Sequence, residues 1–508
     1  MNHNLYAILE SNFPSARDEC AIEAVLPNGS LFYTWADIDA ATAKLANLLT
    51  SLNLPVGARI AAQTEKSVEA LLLYLATLRA GFVYLPLNSA YQQAELAYFI
   101  DNAAPSVVVC SPANFPWLSK LAFTAGVAYV FTLDESRGGS LLARAAMQAS
   151  HFKTREIQAN QLAAILYTSG TTGRSKGAML SHGNLSSNAL VLKEFWQWNK
   201  LDVLLHALPI FHVHGLFVAS NGALINGSKM IWLARFDAAK VVQHLPRATV
   251  MMGVPTMYVR LLAEPGFTAE ACRNARVFIS GSAPLLIETF REFRSRSGHL
   301  ILERYGMSET TMLTSNPYAG ERIGGTVGVS LPGVSVRVRD DQAAPLPAGV
   351  IGNIEVQGAN VFAGYWQMPE KTAQEFTADG YFKTGDVGKI DPKGYVTIVG
   401  RSKDLIISGG YNVYPAEVEG FINELEGVAE SALVGVPHPD FGEVGVAVVI
   451  AKAGVQLDEA ALIAALKKQI ANFKIPKRAF VVAELPRNTM GKVQKNLLRE
   501  KYTDLFIH

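Results

Sequence analysis

Apolar and polar positions along the chain follow two periods, and the switches between them outline the fold. From Thr34 to Leu54, Ile38, Ala41, Leu45, Leu48, Leu49 and Leu52 recur on one helical face, and Thr34 with Asp37 has the spacing of a capping box. Arg59 to Ala62 then reads as a strand, Ser67 to Gly81 as a helix and Val83 to Pro86 as a strand. Ala94 to Asn102 reads as a helix, with strands at Ser106 to Cys110 and Ala128 to Leu133. Such alternation predicts βαβ units on a parallel sheet, so the first half is expected to be doubly wound α/β. The theme returns in Ala248 to Val254, Ala275 to Ser280 and Leu300 to Tyr305, apolar runs that end at Pro255, Gly281 and Gly306. Loops at strand carboxyl ends gather on one edge of a parallel sheet, and these three are expected to converge there.

After Tyr318 the texture changes. Short alternating runs such as Val334 to Val338 and Gly352 to Val356, set among Gly and Pro, predict an antiparallel, partly barrel-like section. Gly394 to Gly400 is one more strand, followed by the polar interruption Arg401-Ser402-Lys403-Asp404. Beyond it lie a helix from Pro415 to Leu425, strands from Val428 to Val436 and Val444 to Ala451, a helix from Asp458 to Ala471 and a strand from Arg478 to Val482. This segment of about a hundred residues suits a small α+β domain of its own. The expected division is a large N-terminal domain, residues 1–402, and a small C-terminal domain, residues 403–508.

Bulk composition narrows the function. A chain of 508 residues, 49% hydrophobic and 18% charged, exceeds what one core usually serves. Lys and Arg number 45 against 44 Asp and Glu, so neither nucleic acid nor an anionic membrane is an expected partner. The apolar stretch Ile210 to Ile225 is broken by His212, His214, Ser220 and Asn221 and falls short of a membrane span. No leader or address tag is read at either end. Cys20, Cys110 and Cys272 are odd in number and far apart, which suggests neither a disulfide framework nor a metal site and fits a reducing, cytoplasmic setting.

The chemistry centres on Tyr167-Thr168-Ser169-Gly170-Thr171-Thr172-Gly173-Arg174-Ser175-Lys176-Gly177, at the end of the apolar run Leu162 to Leu166. Three glycines let successive N–H groups curl into one concavity, while the hydroxyls of Thr168, Ser169, Thr171 and Thr172 and the ammonium of Lys176 add donors. That is the chemistry of a polyphosphate cradle. It is not the P-loop of nucleotide hydrolases, because Ser175 and Gly177 stand where that pattern wants Gly and then Ser or Thr. Glu303-Arg304-Tyr305-Gly306-Met307-Ser308-Glu309 supplies a carboxylate, Glu309, for the Mg²⁺ that accompanies ATP, a hydroxyl, Ser308, for an α-phosphate, and a flat ring, Tyr305, for a purine. Asp386, in Thr384-Gly385-Asp386, is placed to accept both hydroxyls of a ribose. Lys492, in the Pro486 to Lys495 turn, is a cation that could stabilise charge on a transferring oxygen.

These stretches, in this order and with Gly400 to Asp404 between the last two, resemble the core motifs of the adenylate-forming superfamily: acyl- and aryl-CoA synthetases, peptide-synthetase adenylation domains and beetle luciferases. Gln63 to Ser67, His206 to Phe217, Glu303 to Met312 and Asn488 to Lys495 resemble the malonyl-CoA synthetases in particular. The resemblance implies two steps. A carboxylate attacks the α-phosphate of ATP to give an acyl-adenylate and pyrophosphate, and the thiol of coenzyme A then displaces AMP. It further implies that Lys492 assists the first step, Ser308 contacts the α-phosphate, Glu309 holds Mg²⁺ and Asp386 with Arg401 holds the ribose. Gly170 and Gly173 belong to the phosphate grip and Gly306 and Met307 to the nucleotide site. Lys403 matches the hinge of the small domain, where many members carry aspartate, and Ser308 replaces the commoner threonine. After rotation Ser408, Gly409, Gly410 and Tyr411 would line the pantetheine tunnel.

Two features bear on the acid. The position of His212 lies, in the family, between acyl pocket and thiol tunnel. Arg235, in the apolar Trp232 to Phe236, is expected to be buried and so to need an anionic partner, which the second carboxylate of malonate would supply, with Ser282 as a second donor. Methylmalonate, a short fatty acid or an aryl acid remain alternatives, as does a non-catalytic ATP-binding relative.

Overall fold

The computed structural model of the chain describes residues 2–168, 175–409, 411–488 and 491–506. Two sheets dominate the first 330 residues. The six-stranded sheet runs Tyr129–Thr132, Val107–Cys110, Arg59–Gln63, Val83–Pro86, Leu162–Thr168, Lys176–Ser181, with all pairs parallel except the last. The nine-stranded sheet has a parallel centre in the order Leu302–Met307, Val277–Ser280, Val250–Gly253, Val203–His206, Lys229–Leu233, Cys20–Leu26, closed at each end by antiparallel strands. Four antiparallel strands follow, Val334–Arg339, Gly352–Gly358, Phe382–Ile390 and Val396–Arg401, in the section where the alternating runs predict them.

Helices form where the period and the caps agree. Thr34 and Asp37 close the predicted capping box on Trp35–Ser51, each side chain accepting the other's backbone N–H, at 3.1 and 2.8 Å. Val68–Arg79 is buried on every side, as its all-round apolar face requires, and Arg79 enters the core only with Asp39 2.9 Å away. The apolar stretch after Ile210 has no helical stripe. It folds as the π-helix His214–Ser220 running into the helix Asn221–Ile225, all buried.

The last hundred residues build a separate mixed sheet in which Val428–His438 and Gly442–Ala451 form a long antiparallel pair and Arg478–Val482 lies parallel to the second. The two apolar clusters on this sheet draw only on residues after Leu405. The expected helix to Ala471 is shorter, Glu459–Leu466, with the 3₁₀ turn Asn472–Lys474 beyond it. Among the described residues no helix is long and apolar enough to cross a membrane.

Candidate active site

The strands on either side of the glycine- and hydroxyl-rich stretch are paired with each other. Leu162–Thr168 leads into it, Lys176–Ser181 leaves it, and Thr168 sits opposite Lys176 and donates through its hydroxyl to the Lys176 carbonyl at 3.4 Å. Ser169, Gly170, Thr171, Thr172 and Gly173 lie outside the described residues. The Lys176 ammonium rests 3.5 Å from Glu375 and 4.3 Å above the Tyr365 ring, whose hydroxyl donates to Glu309 at 3.0 Å. Lys176 and Glu309 therefore meet across one tyrosine. Burial raises the Glu309 pKa above the ordinary carboxylate value.

Beside them, Asp386 and Arg401 are directly paired across two antiparallel strands, with Arg401 Nε 2.7 Å from Asp386 Oδ1. Gly385, at φ +69°, turns the strand so that this pair closes. The Tyr305 hydroxyl donates to the other Asp386 oxygen. Gly306, next in the chain, is packed so closely that a Cβ would come within 1.9 Å of the Thr311 carbonyl. Met307 ends that strand, with its N–H donated to Thr310 Oγ1 at 3.2 Å, and Ser308 is half-buried in the turn that follows.

Lys492 stands in a cleft against this group. Its turn is tied by the Asn488 side chain, which accepts the Lys492 N–H at 3.0 Å. A Cβ on Gly491 would lie 2.9 Å from Thr256 Oγ1, in the first turn of the helix Pro255–Leu262. The side chain is open to solvent, yet surrounding protein and then the Arg401 guanidinium lower its pKa, with Asp386 opposing them. Lys403 lies in the exposed turn Ser402–Asp404. Ser408 and Tyr411 face each other across a hairpin on the small sheet, Tyr411 stacked 4.7 Å from Phe473, and the Gly409 N–H donates to the Phe441 carbonyl at 2.8 Å. Gly410 lies outside the described residues.

His212 and Ser282, in the loops after Val203–His206 and Val277–Ser280, gather around Arg304 of the strand Leu302–Met307, and here the sequence expectation needs correction. Arg235 is exposed, on the rim of a cavity of about 310 Å³ that Lys66, Phe211 and Met257 also line, so the burial cost that singled it out does not arise. The buried arginine is Arg304, 2% exposed, and its Nε and Nη2 have no hydrogen-bond partner among the described residues. Its guanidinium lies directly beneath Gly281, where a Cβ would approach Cζ to 2.4 Å. His212 and His214 feel its charge, which together with burial holds both imidazoles neutral, His212 at about 4. Ser282, held at φ +72°, places its hydroxyl 3.3 Å from His214 Nδ1. The neighbouring carboxyl does not neutralise Arg304, because burial pushes Glu303 up to about 8 and keeps it protonated at neutral pH. The sign of Arg304 in the sequence is a lone cation in the largely apolar run Leu300 to Tyr305.

Residues 15–366 match the AMP-binding enzyme family and residues 417–492 the AMP-binding enzyme C-terminal domain. The chain belongs to the AMP-binding enzyme family. It is 34% identical to the malonate–CoA ligase of Arabidopsis thaliana over 478 residues, 87% of this chain and 78% of the plant protein. It is 54% identical to MatB of Rhodopseudomonas palustris over the full length of both chains, with a TM-score of 0.97 to the ATP-bound structure. The apo structure of that protein, at the same identity and coverage, gives 0.86.

Proposed function

We propose that this family member is an AMP-forming malonate–CoA ligase, and the observation that carries the choice of acid is Arg304. A buried guanidinium with two unused donors and a protonated neighbour has a charge that nothing around it balances. An anion arriving in the acyl pocket balances it, and malonate brings one: while one carboxylate reacts, the other takes the fork of Arg304, with Ser282 as a further donor. The likeness to the plant malonate–CoA ligase and to MatB supports the same acid.

In the first step an oxygen of the free carboxylate bonds to the α-phosphorus of ATP, the bond from that phosphorus to the bridging oxygen breaks, and pyrophosphate leaves. Lys492 bridges carboxylate and nucleotide and stabilises the charge between them. Ser308 contacts the α-phosphate, Asp386 and Arg401 hold the ribose, and Tyr305, Gly306 and Met307 form the wall for the base. Thr168 and Lys176, with Ser169 to Gly173, grip the departing phosphates. The donors around Glu309 fit a hard divalent cation: a buried carboxylate oxygen, and among the described residues no cluster of three or more acidic, His or Cys side chains to complete a protein cage. Mg²⁺ held there would take its other ligands from phosphate and water and neutralise phosphate charge.

In the second step the sulfur of coenzyme A, its thiol proton passing to water, bonds to the acyl carbon, and AMP leaves with the electron pair of the broken acyl–oxygen bond. His212, neutral at physiological pH, lies between the acyl pocket and the thiol's approach. The small domain, residues 403–508, turns about Lys403 between the steps and brings Ser408, Gly409, Gly410 and Tyr411 to the thiol arm. Its separate apolar clusters support that division.

An acid panel tests the proposal. Malonate alone should release pyrophosphate from ATP, and AMP should follow when coenzyme A is added, with acetate, methylmalonate and benzoate turned over more slowly. Equal turnover of acetate and malonate would overturn the choice of acid, and no pyrophosphate release with any of them would overturn the activity.

A further inference from the structure

Gln63 to Ser67 resembles its family counterparts closely, yet none of the roles above uses it. The segment leaves the strand Arg59–Gln63 of the six-stranded sheet, and Ser67 ends it by accepting the Ala70 N–H at 3.1 Å, which caps the buried helix Val68–Arg79. Between them Lys66 reaches across to the other sheet. Its ammonium donates to the Leu233 carbonyl at 2.7 Å, to the His206 carbonyl at 2.9 Å and to His206 Nδ1 at 3.0 Å, and it lies 4.3 Å above the Trp232 ring. Leu233 and His206 end two neighbouring parallel strands, Lys229–Leu233 and Val203–His206. Lysine has three N–H groups, and all three are taken. Although Lys66 lines the 310 Å³ cavity, it has no donor left for a ligand there.

The contact to His206 carries further. His206 Nε2 faces the Gly215 carbonyl and Ser220 Oγ, each at 3.0 Å; the carbonyl can only accept, so the ring proton sits on Nε2 and Nδ1 is left to accept from Lys66. Ser220 Oγ also donates to the Gly215 carbonyl at 2.8 Å. Gly215 and Ser220 belong to the π-helix His214–Ser220, and its first turn is packed backbone on backbone, since a Cβ on Gly215 would come within 2.0 Å of the Pro209 carbonyl. His214, in that turn, meets Ser282 in the loop above Arg304.

We infer that Lys66 is a positioning residue for the acyl pocket: it staples the carboxyl ends of two strands and, by fixing the His206 tautomer, holds the π-helix turn that sets His214 against Ser282. This rests on the malonate reading above. Without the ammonium, His206 is free to carry its proton on Nδ1, and the bond to Gly215 is lost. Among the described residues no side-chain hydrogen bond joins Tyr305, Asp386 or Arg401 to Lys66 or His206, so the nucleotide side should stay as it is.

A double-mutant cycle on the full chain tests the inference, reading kcat/KM for malonate and KM for ATP. Lys66→Met and His206→Phe should each lower the malonate kcat/KM about tenfold, with the ATP KM unchanged within about twofold, and the double variant should be no worse than either single one. His206→Gln, which can accept from Lys66 and donate to Gly215, should retain most activity, and propylammonium should restore part of the loss in Lys66→Ala beyond what potassium restores at equal ionic strength. Additive losses, equal loss in malonate and ATP parameters, or His206→Gln as poor as His206→Phe would overturn the role of Lys66. Where Lys66→Met is too unstable to purify, the two His206 variants decide. A wild-type chain that makes no malonyl-CoA overturns the functional reading itself, whereas an active wild type with unaffected Lys66 variants overturns this inference alone.

Discussion

Arg304 and Glu303 are neighbours on one buried strand, and burial drives both toward their neutral forms, to about 9 and about 8. Only one of them arrives there at pH 7: the acid is neutral and the guanidinium still charged, which leaves a cation for the substrate to meet. Replacing it with a neutral side chain of similar reach should remove the hydrogen bonds to the distal carboxylate. Arg304→Gln is expected to lose roughly 1.5–3 kcal/mol, or about ten- to a hundredfold in kcat/KM for malonate, while acetate is little affected; equal losses for the two acids would assign Arg304 a scaffold role. Glu303 makes a separate prediction through its proton. Its pKa is raised from 4.5 to about 8, so across that window the folded chain keeps a proton that the unfolded chain releases. Its contribution to stability is therefore whole below pH 4.5 and is lost as the pH rises to about 8. Glu303→Gln should flatten the decline by a few kcal/mol at most, seen in urea melts at pH 5 and pH 8, and parallel curves for the two proteins would show that Glu303 titrates normally. At this scale the sequence was half legible. The chemistry of an unpaired arginine was readable, but Arg235 and Arg304 both sit in apolar stretches, and only the folded chain shows that the first reaches the surface while the second lies under Gly281.

The elements that carry the site were legible wherever two local signals agreed. Thr34 with Asp37 and Ser67 with its apolar helix are examples, because a cap and a period each fix the same boundary. The strands ending at Gly253, Ser280 and Met307 were legible from their apolar runs; of the loops after them the one after Ser280 reaches the site, where Ser282 meets His214, while His212 comes from the loop after His206 and Arg304 from the strand itself. The π-helix was not, because a uniformly buried segment shows no period and its extra residue per turn is imposed by the Pro209 and His206 contacts. Gly306 shows how little slack these elements have. The strand pair shifts register between Tyr305 and Gly306, and a methyl group there would meet the Thr311 carbonyl, which no rotamer change can relieve. Gly306→Ala should cost about 1–3 kcal/mol of stability by overpacking and should weaken ATP more than malonate, because the Tyr305–Asp386 contact lies on the same turn. Thermal denaturation and nucleotide titration measure both; an unchanged melting temperature would mean that the turn relaxes.

For the whole molecule the question is why a lysine so far along the chain is placed beside the nucleotide site. Lys492 belongs to a domain with its own apolar clusters, and Gly491 beside it lies against Thr256 of the helix Pro255–Leu262. A contact made by a separately cored unit can be made and unmade without breaking either core, which is what two successive reactions at one centre require. We assign such a motion to the turn Ser402–Asp404, none of whose residues is buried. Proline at 403 would fix φ and remove the N–H, stiffening the link without altering any group that touches ATP. Lys403→Pro should keep malonate-dependent pyrophosphate release within about threefold and lower CoA-dependent AMP release more than about tenfold, since only the second step needs the turn. Lys492→Ala should do the reverse, losing pyrophosphate release while a supplied malonyl-adenylate still reacts with coenzyme A. The pair separates the two arrangements. If Lys403→Pro slowed both half-reactions alike, the link would be acting on folding or on the first step, and Lys492 would have to serve both steps from where it now stands.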